Sequence, residues 1–306
     1  MHGYVTDPDA PGGLRFADDL PEPTPADDEA LIEVRAVAIN RGELFLLQLR
    51  DRDWRPGQDL AGVVVRPAAD GSGPGEGTRV VCIAEGAGWS ERIALPTDVV
   101  APLPDEVSFE QAAALPIAGL TALRALRVAG PILGRRVLIT GATGGVGQFA
   151  IQVALAGGAE VSAQVSAEDR APLASRLGAD PVVTDLDDEG LGPFDLVLDA
   201  VGGPVLKAAI GRLAPGGTVA TYGNLAGEAS LSFRDFAAAP LAKMVGFFHA
   251  HPQETRGEDL RTLARMTGDG RLVPQIGSVR SWEELRGTVE AMREREVRGR
   301  AVLTVG

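Results

Sequence analysis

Residues 137–150 read Val-Leu-Ile-Thr-Gly-Ala-Thr-Gly-Gly-Val-Gly-Gln-Phe-Ala, and this stretch is the strongest indication of the fold. An apolar run, a glycine-rich turn and a small, apolar continuation predict a buried strand, a tight turn and a helix. Gly144 lets the backbone approach a diphosphate, and Gly147 lets the helix pack closely on the strand. Ala142 takes the first glycine position of the G-x-G-x-x-G pattern, a mild departure. Because amides at a helix start attract anions, the loop predicts a dinucleotide site formed by Gly141, Thr143, Gly144, Gly145 and Val146.

Outward from this loop, short apolar runs alternate with helical segments. Runs bounded by Gly, Pro or Asp lie at 136–140, 160–165, 181–184, 195–199 and 217–221, and a sixth lies at 244–248. Parallel strands need crossover connections, so the alternation predicts a doubly wound parallel α/β sheet with helices on both faces. Strand, turn, helix and second strand follow in the order of a nucleotide-binding unit. This order argues against the alternative, an ordinary corner between a strand and a helix.

The chain before residue 108 has a different pattern of predicted elements. Strand-like stretches at 30–37, 62–65, 78–83 and 90–95 are separated by loops rich in Gly and Pro. They predict a β-rich, barrel-like domain. Ser108 then stands as a helix N-cap before a helical run over 111–128. Two further helices near 259–266 and 283–293, and a strand at 301–305, are predicted after the parallel sheet.

The second strand of the predicted sheet bears on the choice of nucleotide. An acid at its end would hold a ribose hydroxyl and repel a 2′-phosphate, and that acid is absent. The strand ends at Ser166, and Arg170 follows it closely. These two side chains favour NADPH and are predicted to anchor it, although Glu168 and Asp169 partly cancel the local charge. The alternatives are a helix N-cap for Ser166 and a solvated helix face for Arg170.

Composition excludes several classes of partner. The 306 residues include 42 acidic and 29 basic side chains, and the resulting net charge of −13 repels nucleic acid and anionic membranes. No apolar run reaches the roughly 18 residues of a membrane span, and the amino terminus does not resemble an export signal. Cys82 is the single cysteine, which excludes an intrachain disulfide and cysteine-rich zinc sites. We therefore expect a cytoplasmic protein that binds neither nucleic acid nor membranes.

Further motifs run along nearly the whole chain. They include Ala-Val-Ala-Ile-Asn at 36–40, Pro-Gly-Gln-Asp-Leu-Ala-Gly at 56–62, Leu-Gly-Ala-Asp at 177–180 and Asp-Ala-Val-Gly-Gly at 199–203. In this order they resemble the medium-chain dehydrogenase/reductase superfamily, and within it the zinc-free NADPH:quinone oxidoreductase (zeta-crystallin-like) branch. The resemblance implies a GroES-like β-rich catalytic domain, residues 1–113 with 249–306, and a Rossmann NADPH-binding domain, residues 114–248. It also implies a homodimer.

The resemblance bears on metal chemistry as well. Zinc-dependent relatives hold a catalytic metal with Cys, His and a carboxylate. Here Gln58 and Asp59 stand where those relatives carry His-Glu, and no cysteine follows Asn40 in the corresponding stretch. We therefore expect no metal site. His249 and His251 lack a third ligand and are expected to line the substrate cleft or to end a strand.

Without a metal, the chemistry that the family implies is hydride transfer from the nicotinamide to a conjugated acceptor. The resemblance places Asn40 and Thr121 beside the nicotinamide and the substrate, and Asn40 would donate to the acceptor oxygen. The alternatives are a turn-forming Asn and a Thr bonded to its own helix. Relatives often carry a tyrosine where Phe45 stands, and Tyr222 is predicted to donate in its place unless it is a buried structural residue.

The predicted site residues therefore fall into three groups. The catalytic candidates are Asn40, Thr121 and Tyr222, and the substrate-binding candidates are Asn40, Phe45 and His249. In addition to the glycine loop, Ser166 and Arg170, the predicted cofactor-binding residues are Thr121, Ala200, Val201, Tyr222, Gly223, Asn224, Phe247 and Phe248.

Three functions are compatible with these residues. The first is an NADPH-dependent reductase of quinones or α,β-unsaturated carbonyls. The second is an enoyl-thioester or biosynthetic enone reductase, for which Arg50, Arg52 and Arg55 would supply basic residues near the mouth of the cleft. A solvated charge run is the simpler explanation of those arginines. The third is a protein that binds NADPH and has no catalytic activity.

Overall fold

A computed structural model describes residues 1–187, 190–247 and 255–306. The strands are β1 (Gly3–Thr6), β2 (Leu14–Ala17), β3 (Glu29–Ile39), β4 (Asp59–Arg66), β5 (Arg79–Ile83), β6 (Arg92–Pro96), β7 (Val100–Pro102), β8 (Arg136–Ile139), β9 (Glu160–Gln164), β10 (Val182–Val183), β11 (Phe194–Asp199), β12 (Leu213–Thr221), β13 (Lys243–Gly246), β14 (Ile276–Ser281) and β15 (Arg300–Thr304). The α-helices are α1 (Arg41–Leu49), α2 (Phe109–Ala113), α3 (Pro116–Arg127), α4 (Gly147–Ala156), α5 (Ala171–Arg176), α6 (Gly203–Ile210), α7 (Arg256–Gly268) and α8 (Leu285–Arg293). No helix in these ranges is long and apolar enough to cross a membrane.

The chain forms two compact units. The first comprises Met1–Leu120 and Pro252–Gly306, and the second comprises Thr121–His251. The chain first passes from one unit to the other after Leu120. The reason is that the start of α3 belongs to the first unit, where the Ile117 N–H donates to an Asp59 carboxylate oxygen at 2.7 Å.

The second unit is built on a six-stranded sheet in the order β10-β9-β8-β11-β12-β13. Every pair in it is parallel, as the alternation of strands and helices predicted. Strand order reverses between β8 and β11, and ligands bind at such a switch point in open α/β sheets. The glycine loop follows β8 and leads into α4, which is buried on all sides from Gly147 to Ala154. The loop therefore lies at the carboxyl edge of the sheet.

The first unit contains a seven-stranded sheet. Its path is β14-β15-β3-β4-β5-β7, with β6 also paired to β3. All of these pairs are antiparallel except β14 with β15. An apolar core of this unit contains Trp89, the largest fully buried side chain. The predicted α/β fold, a parallel sheet combined with a β-rich part, is confirmed.

Two helical segments differ from the sequence-based expectation. The run predicted over 111–128 is two helices, α2 and α3, because Pro116 begins the second one and cannot continue the first. The β-rich part also contains a helix, α1, directly after Asn40. This helix is only nine residues long, so its apolar periodicity is weak. Its N-terminal signal is an Asn-x-x-Glu capping box formed by Asn40 and Glu43.

Candidate active site

The glycine loop is held in shape by the neighbouring strand β9. The Gly141 N–H donates to Gln164 Oε1 at 3.2 Å, and the Ala142 N–H donates to the Gln164 carbonyl at 3.0 Å. Gly141 has a φ of +58°, in the left-handed region that favours glycine. A side chain at Gly147 would place its Cβ 2.6 Å from the Ala142 carbonyl oxygen, so α4 packs against the loop with no room for a methyl group.

Three backbone amides of this loop have no acceptor within the described residues. The Gly144 N–H closes the turn on the Gly141 carbonyl at 2.8 Å. No hydrogen bond to the described part of the chain is made by the N–H groups of Thr143, Gly145 and Val146. Such amides at the start of a helix form an anion-binding site. The loop therefore fits the diphosphate of a dinucleotide.

The buried carboxylate of Asp199, at the end of β11, links the ends of three strands by hydrogen bonds. Its Oδ1 accepts from Thr140 Oγ1 at 2.7 Å, and its Oδ2 accepts from the Gly202 N–H at 3.0 Å and from Thr221 Oγ1 at 3.3 Å. The Ala200 N–H donates in turn to Thr140 Oγ1 at 3.2 Å. Asp199 thus fixes the loops that follow β8, β11 and β12 relative to one another.

These loops meet closely at the carboxyl edge of the sheet. A Cβ on Gly141 would lie 3.2 Å from the Val201 side chain, and one on Gly223 would lie 2.5 Å from the Ala200 carbonyl oxygen. The chain leaves β13 with the Phe247 N–H donating to the Thr221 carbonyl at 2.8 Å. The structure therefore brings together predicted cofactor residues from four separate loops.

Tyr222 lies within this group of loops. Its N–H donates to the Asp199 carbonyl at 2.9 Å, whereas its phenolic oxygen is buried and has no hydrogen-bond partner in the described part of the chain. Burial first, and the nearby Asp199 charge second, raise the pKa of the Tyr222 phenol above its ordinary value. The phenol is therefore a neutral hydrogen-bond donor at physiological pH. An unsatisfied buried hydroxyl here fits a polar group of a bound ligand.

The residues predicted to select NADPH follow β9. Ser166 is exposed, and Arg170 ends a short 3-10 turn and is partly buried. Among the described residues no carboxylate lies within 4.0 Å of Arg170. Glu168 accepts a hydrogen bond from Thr184 Oγ1 at 3.1 Å, and this contact holds its carboxylate against the neighbouring chain after β10. Neither of the two acidic residues that precede Arg170 forms an ion pair with it in the described part of the chain.

In the first unit, Asn40 belongs to a closed ring of hydrogen bonds. Its Oδ1 accepts from the Glu43 N–H at 2.9 Å, and its Nδ2 donates to Gln58 Oε1 at 3.3 Å. Glu43 completes the ring because its two carboxylate oxygens accept from the Asn40 N–H at 3.0 Å and from the Gln58 N–H at 2.7 Å. Asn40 is 4% exposed. Its side chain is fixed at both ends rather than free to turn.

An ion pair lies next to this ring. Asp59 on β4 is fully buried and pairs with Arg300 at the start of β15, which is 4% exposed. Burial raises the pKa of Asp59, while Arg300 counteracts that rise. Burial and the Asp59 charge raise the pKa of Glu43 to about 8, against the lowering by the Asn40 and Gln58 amides and by Arg300. Asp59, Glu43 and Arg300 therefore lie together in one buried site.

The raised pKa of Glu43 predicts a dependence of stability on pH. The folded protein keeps a proton on Glu43 that the unfolded chain releases, so the free energy of unfolding falls as pH rises from about 5 to about 8. Glu43→Gln should remove this pH-dependent component of stability. The difference in the free energy of unfolding between wild type and variant should therefore change by up to about 1 kcal/mol per pH unit. Urea unfolding across this range measures it.

The matched control for this experiment is Glu33→Gln, which alters a glutamate on β3 that pairs with Arg35. This variant should keep the pH slope of the wild type. Equal slopes for wild type and Glu43→Gln would show that Glu43 titrates normally.

The remaining predicted residues are placed as follows. Thr121 is a buried residue of α3, and Phe45 is 60% exposed on α1. Phe248 and His249 lie outside the described residues. Within the described ranges, no group of three or more His, Cys, Asp and Glu side chains is arranged to hold a metal ion.

Sequence reasoning missed several residues that shape these sites. They lie at a strand end or in a cap, all are buried except the partly buried Thr221, and they are Glu43, Gln164, Asp199, Thr221 and Arg300. A buried polar residue at the carboxyl end of a predicted parallel strand is a signal that would have found Gln164 and Asp199.

Comparison with known proteins agrees with this architecture. Residues 26–105 match the alcohol dehydrogenase GroES-like domain, and residues 145–265 match the zinc-binding dehydrogenase family. The quinone oxidoreductase of Rattus norvegicus is 30% identical over 232 residues, which cover 70% of this chain and 70% of the rat protein. The chain therefore belongs to the medium-chain dehydrogenase/reductase superfamily.

Other relatives extend the range of similar proteins. A highly reducing polyketide synthase of Arthrinium phaeospermum is 34% identical over 69% of this chain, which spans 9% of that synthase. A trans-enoyl reductase of Aspergillus flavipes is 36% identical over 56% of each chain. The quinone oxidoreductase of Thermus thermophilus, whose structure was also determined with NADPH, is 29% identical with a TM-score of 0.84 and covers 99% of this chain and 100% of its own.

Proposed function

We propose that this protein is a zinc-independent, NADPH-dependent oxidoreductase that transfers a hydride to a quinone or an α,β-unsaturated carbonyl. The observation that carries the proposal is the set of amides at Thr143, Gly145 and Val146 that lack acceptors in the described chain. They lie at the switch point of the parallel sheet. Similarity to two quinone oxidoreductases, one of them studied with NADPH, supports the choice of cofactor and acceptor.

The proposed roles of the residues follow from their positions. When bound, NADPH supplies the hydride. The glycine loop holds the diphosphate, while Ser166 and Arg170 hold the 2′-phosphate. Thr121, Ala200, Val201, Gly223, Asn224, Phe247 and Phe248 are proposed to line the nicotinamide half.

Two residues are proposed to act near the reacting atoms. Tyr222 presents a neutral phenol that can donate a hydrogen bond but is a weak acid, since its pKa is raised. Asn40 is held rigidly by Glu43 and Gln58, and its amide also donates to Asp59, so donation to an acceptor would replace one of these hydrogen bonds. Phe45 and His249 are proposed to contact the acceptor.

The residues present do not fit a catalytic zinc. Relatives that use zinc hold it with Cys, His and carboxylate ligands. In this chain Gln58 donates its N–H to Glu43, and the Asp59 carboxylate is occupied by Arg300 and the Ile117 N–H. We therefore propose that polarisation of the acceptor depends on hydrogen bonds rather than on a metal.

Replacing Arg170 by alanine tests the choice of nucleotide. A charge-assisted contact to the 2′-phosphate would be lost, so KM for NADPH should rise about 10- to 100-fold while KM for NADH changes less than about twofold. Steady-state kinetics with both nucleotides measure this. Arg176→Ala, an exposed arginine at the end of α5, is the control. Equal effects of Arg170→Ala on both nucleotides would remove the assignment.

A second candidate function is reduction of an enoyl thioester, which the similarity to a trans-enoyl reductase favours. A panel of quinones, short enones and enoyl thioesters, with NADPH oxidation followed by stopped flow, separates the two. Rapid oxidation with quinones or short enones supports the first proposal. Tight NADPH binding without turnover of any acceptor would instead indicate a protein that binds the nucleotide and does not catalyse.

We also propose a homodimer. Strand β13 is an edge of the parallel sheet, and Leu241 and Met244 beside it are 88% and 45% exposed. An open edge with exposed apolar side chains is a surface on which a second copy can pair. Light scattering during size-exclusion chromatography measures the mass, and a monomer at micromolar concentration would contradict the proposal. A cytoplasmic location is proposed from the sequence alone.

A further inference from the structure

Three arginines in the segment after α1 differ in their partners. Arg52 forms ion pairs with Asp7 and Asp9, so its charge is neutralised. The guanidinium carbon of Arg50 lies 5.3 Å from the centre of the Trp54 ring, which is a cation–π contact. Arg55 has neither kind of partner among the described residues. The three side chains that the sequence presented as equivalent are therefore distinct.

Arg55 is a partly buried cation without a counter-charge in the described chain. Its Nη2 donates a long hydrogen bond to Ser90 Oγ at 3.3 Å. Its Nε is buried and has no hydrogen-bond partner. Burial lowers the pKa of the guanidinium, and no neighbouring charge contributes to that shift. A partly buried guanidinium with no carboxylate partner in the described chain can form charge-assisted hydrogen bonds to an anionic ligand.

Arg55 lies close in the chain to the hydrogen-bonded ring around Asn40. Arg55 begins a loop that ends at Gln58, whose N–H is held by Glu43. This loop is fixed against residues 87–89 by three backbone hydrogen bonds, in which the carbonyls of Arg55, Pro56 and Gly57 accept at 2.8, 3.1 and 3.0 Å. The backbone that carries the Arg55 side chain is therefore fixed, so that ligand binding would need to order only the side chain.

An apolar surface lies on the helix that precedes this segment. Phe45 and Leu49 stand four residues apart on α1 and are 60% and 62% exposed, whereas Leu44 and Leu47 of the same helix are buried in the core. Residues four apart share one face of a helix. The first unit thus combines an exposed apolar helix face with a guanidinium that lacks a carboxylate partner.

We propose that Arg55 binds an anionic group of the acceptor, a carboxylate or a phosphate, while the apolar part of the acceptor contacts the Phe45–Leu49 face. This inference deepens the proposed function and rests on it, because it assigns the charge of the acceptor rather than the reaction. A guanidinium recognises both anions by the same charge-assisted hydrogen bonds. The acceptor class is then an anionic enone or a phosphate-bearing enoyl thioester.

Matched pairs of acceptors test this proposal on the full-length protein with NADPH. The phosphate pair is crotonyl-coenzyme A and its uncharged N-acetylcysteamine thioester, and the carboxylate pair is acetylacrylate and its methyl ester. Arg55→Gln should raise KM about 10- to 100-fold for the charged member of one pair and less than about twofold for its uncharged partner. Arg55→Lys should recover part of the loss, and whichever pair responds identifies the source of the anion.

The control is Arg35→Gln, which changes the net charge equally at an exposed arginine of β3. A second measurement, calorimetry of phosphopantetheine and of acetylacrylate without NADPH, does not depend on turnover, and Arg55→Gln should weaken the response. If no acceptor is reduced but this anion binding requires Arg55, the proposed function fails and the anion site stands. Equal effects on charged and uncharged acceptors, or no effect of Arg55→Gln on either measurement, would overturn the anion site.

Discussion

Asp59→Asn is expected to lower the free energy of unfolding by about 3 kcal/mol. Asp59 is fully buried, and it is the ion-pair partner of Arg300, which is itself buried. Asparagine can still accept from the Ile117 N–H, so the variant removes the charge and keeps the shape. The estimate is at the low end for a broken buried pair because Glu43, relieved of the Asp59 charge, can ionise and partly compensate for Arg300. Chemical denaturation at neutral pH measures the loss.

The control for this variant is a double-mutant cycle. Arg300→Met leaves the Asp59 carboxylate unpaired, whereas Asp59→Asn combined with Arg300→Met leaves no buried charge at either position. The double variant should be more stable than the sum of the single effects predicts, with a coupling free energy of about 1–3 kcal/mol. Strict additivity would show that Asp59 and Arg300 do not stabilise each other.

Gly147→Ala is expected to weaken nucleotide binding about 10- to 100-fold. The added Cβ would lie 2.6 Å from the Ala142 carbonyl oxygen, and no side-chain rotation can relieve a clash between two backbones. Either α4 or the glycine loop must therefore shift, and the amides of Thr143, Gly145 and Val146 shift with it. Fluorescence titration with NADPH measures the affinity, and circular dichroism verifies that the variant is folded.

The matched control is Gly287→Ala in α8, where a Cβ would meet no atom within 4 Å. Since alanine favours a helix over glycine, this control should be at least as stable as the wild type and bind the nucleotide equally well. Unchanged affinity in Gly147→Ala would mean that the close packing of α4 does not position the loop.

Local features of the fold could be predicted from the sequence. The strand, glycine turn and helix around Gly141 are specified by neighbouring residues, so their pattern is visible in one chain. The break between α2 and α3 was equally local, because Pro116 marks it, yet the apolar run across it suggested one helix. Helix α1 was missed since its nine residues give little periodicity, although its capping box was present.

The buried polar groups could not be predicted in the same way. Asp59 and Arg300 are 241 positions apart, and nothing near either residue indicates the other. Asp199 links three strand ends whose adjacency depends on the order of strands in the sheet. The three arginines after α1 look alike in sequence, and they differ only because Asp7, Asp9 and Trp54 are brought near two of them by the fold.

The proposed function requires that the loop after β8 bind the diphosphate of a pyridine dinucleotide. Isothermal titration calorimetry of the folded protein with NADPH, and separately with NADH, tests it most directly. We expect saturable binding of NADPH to one site per chain, with weaker binding of NADH. If protein shown to be folded gives no binding heat with either nucleotide, and neither nucleotide competes with another ligand, the proposal is contradicted.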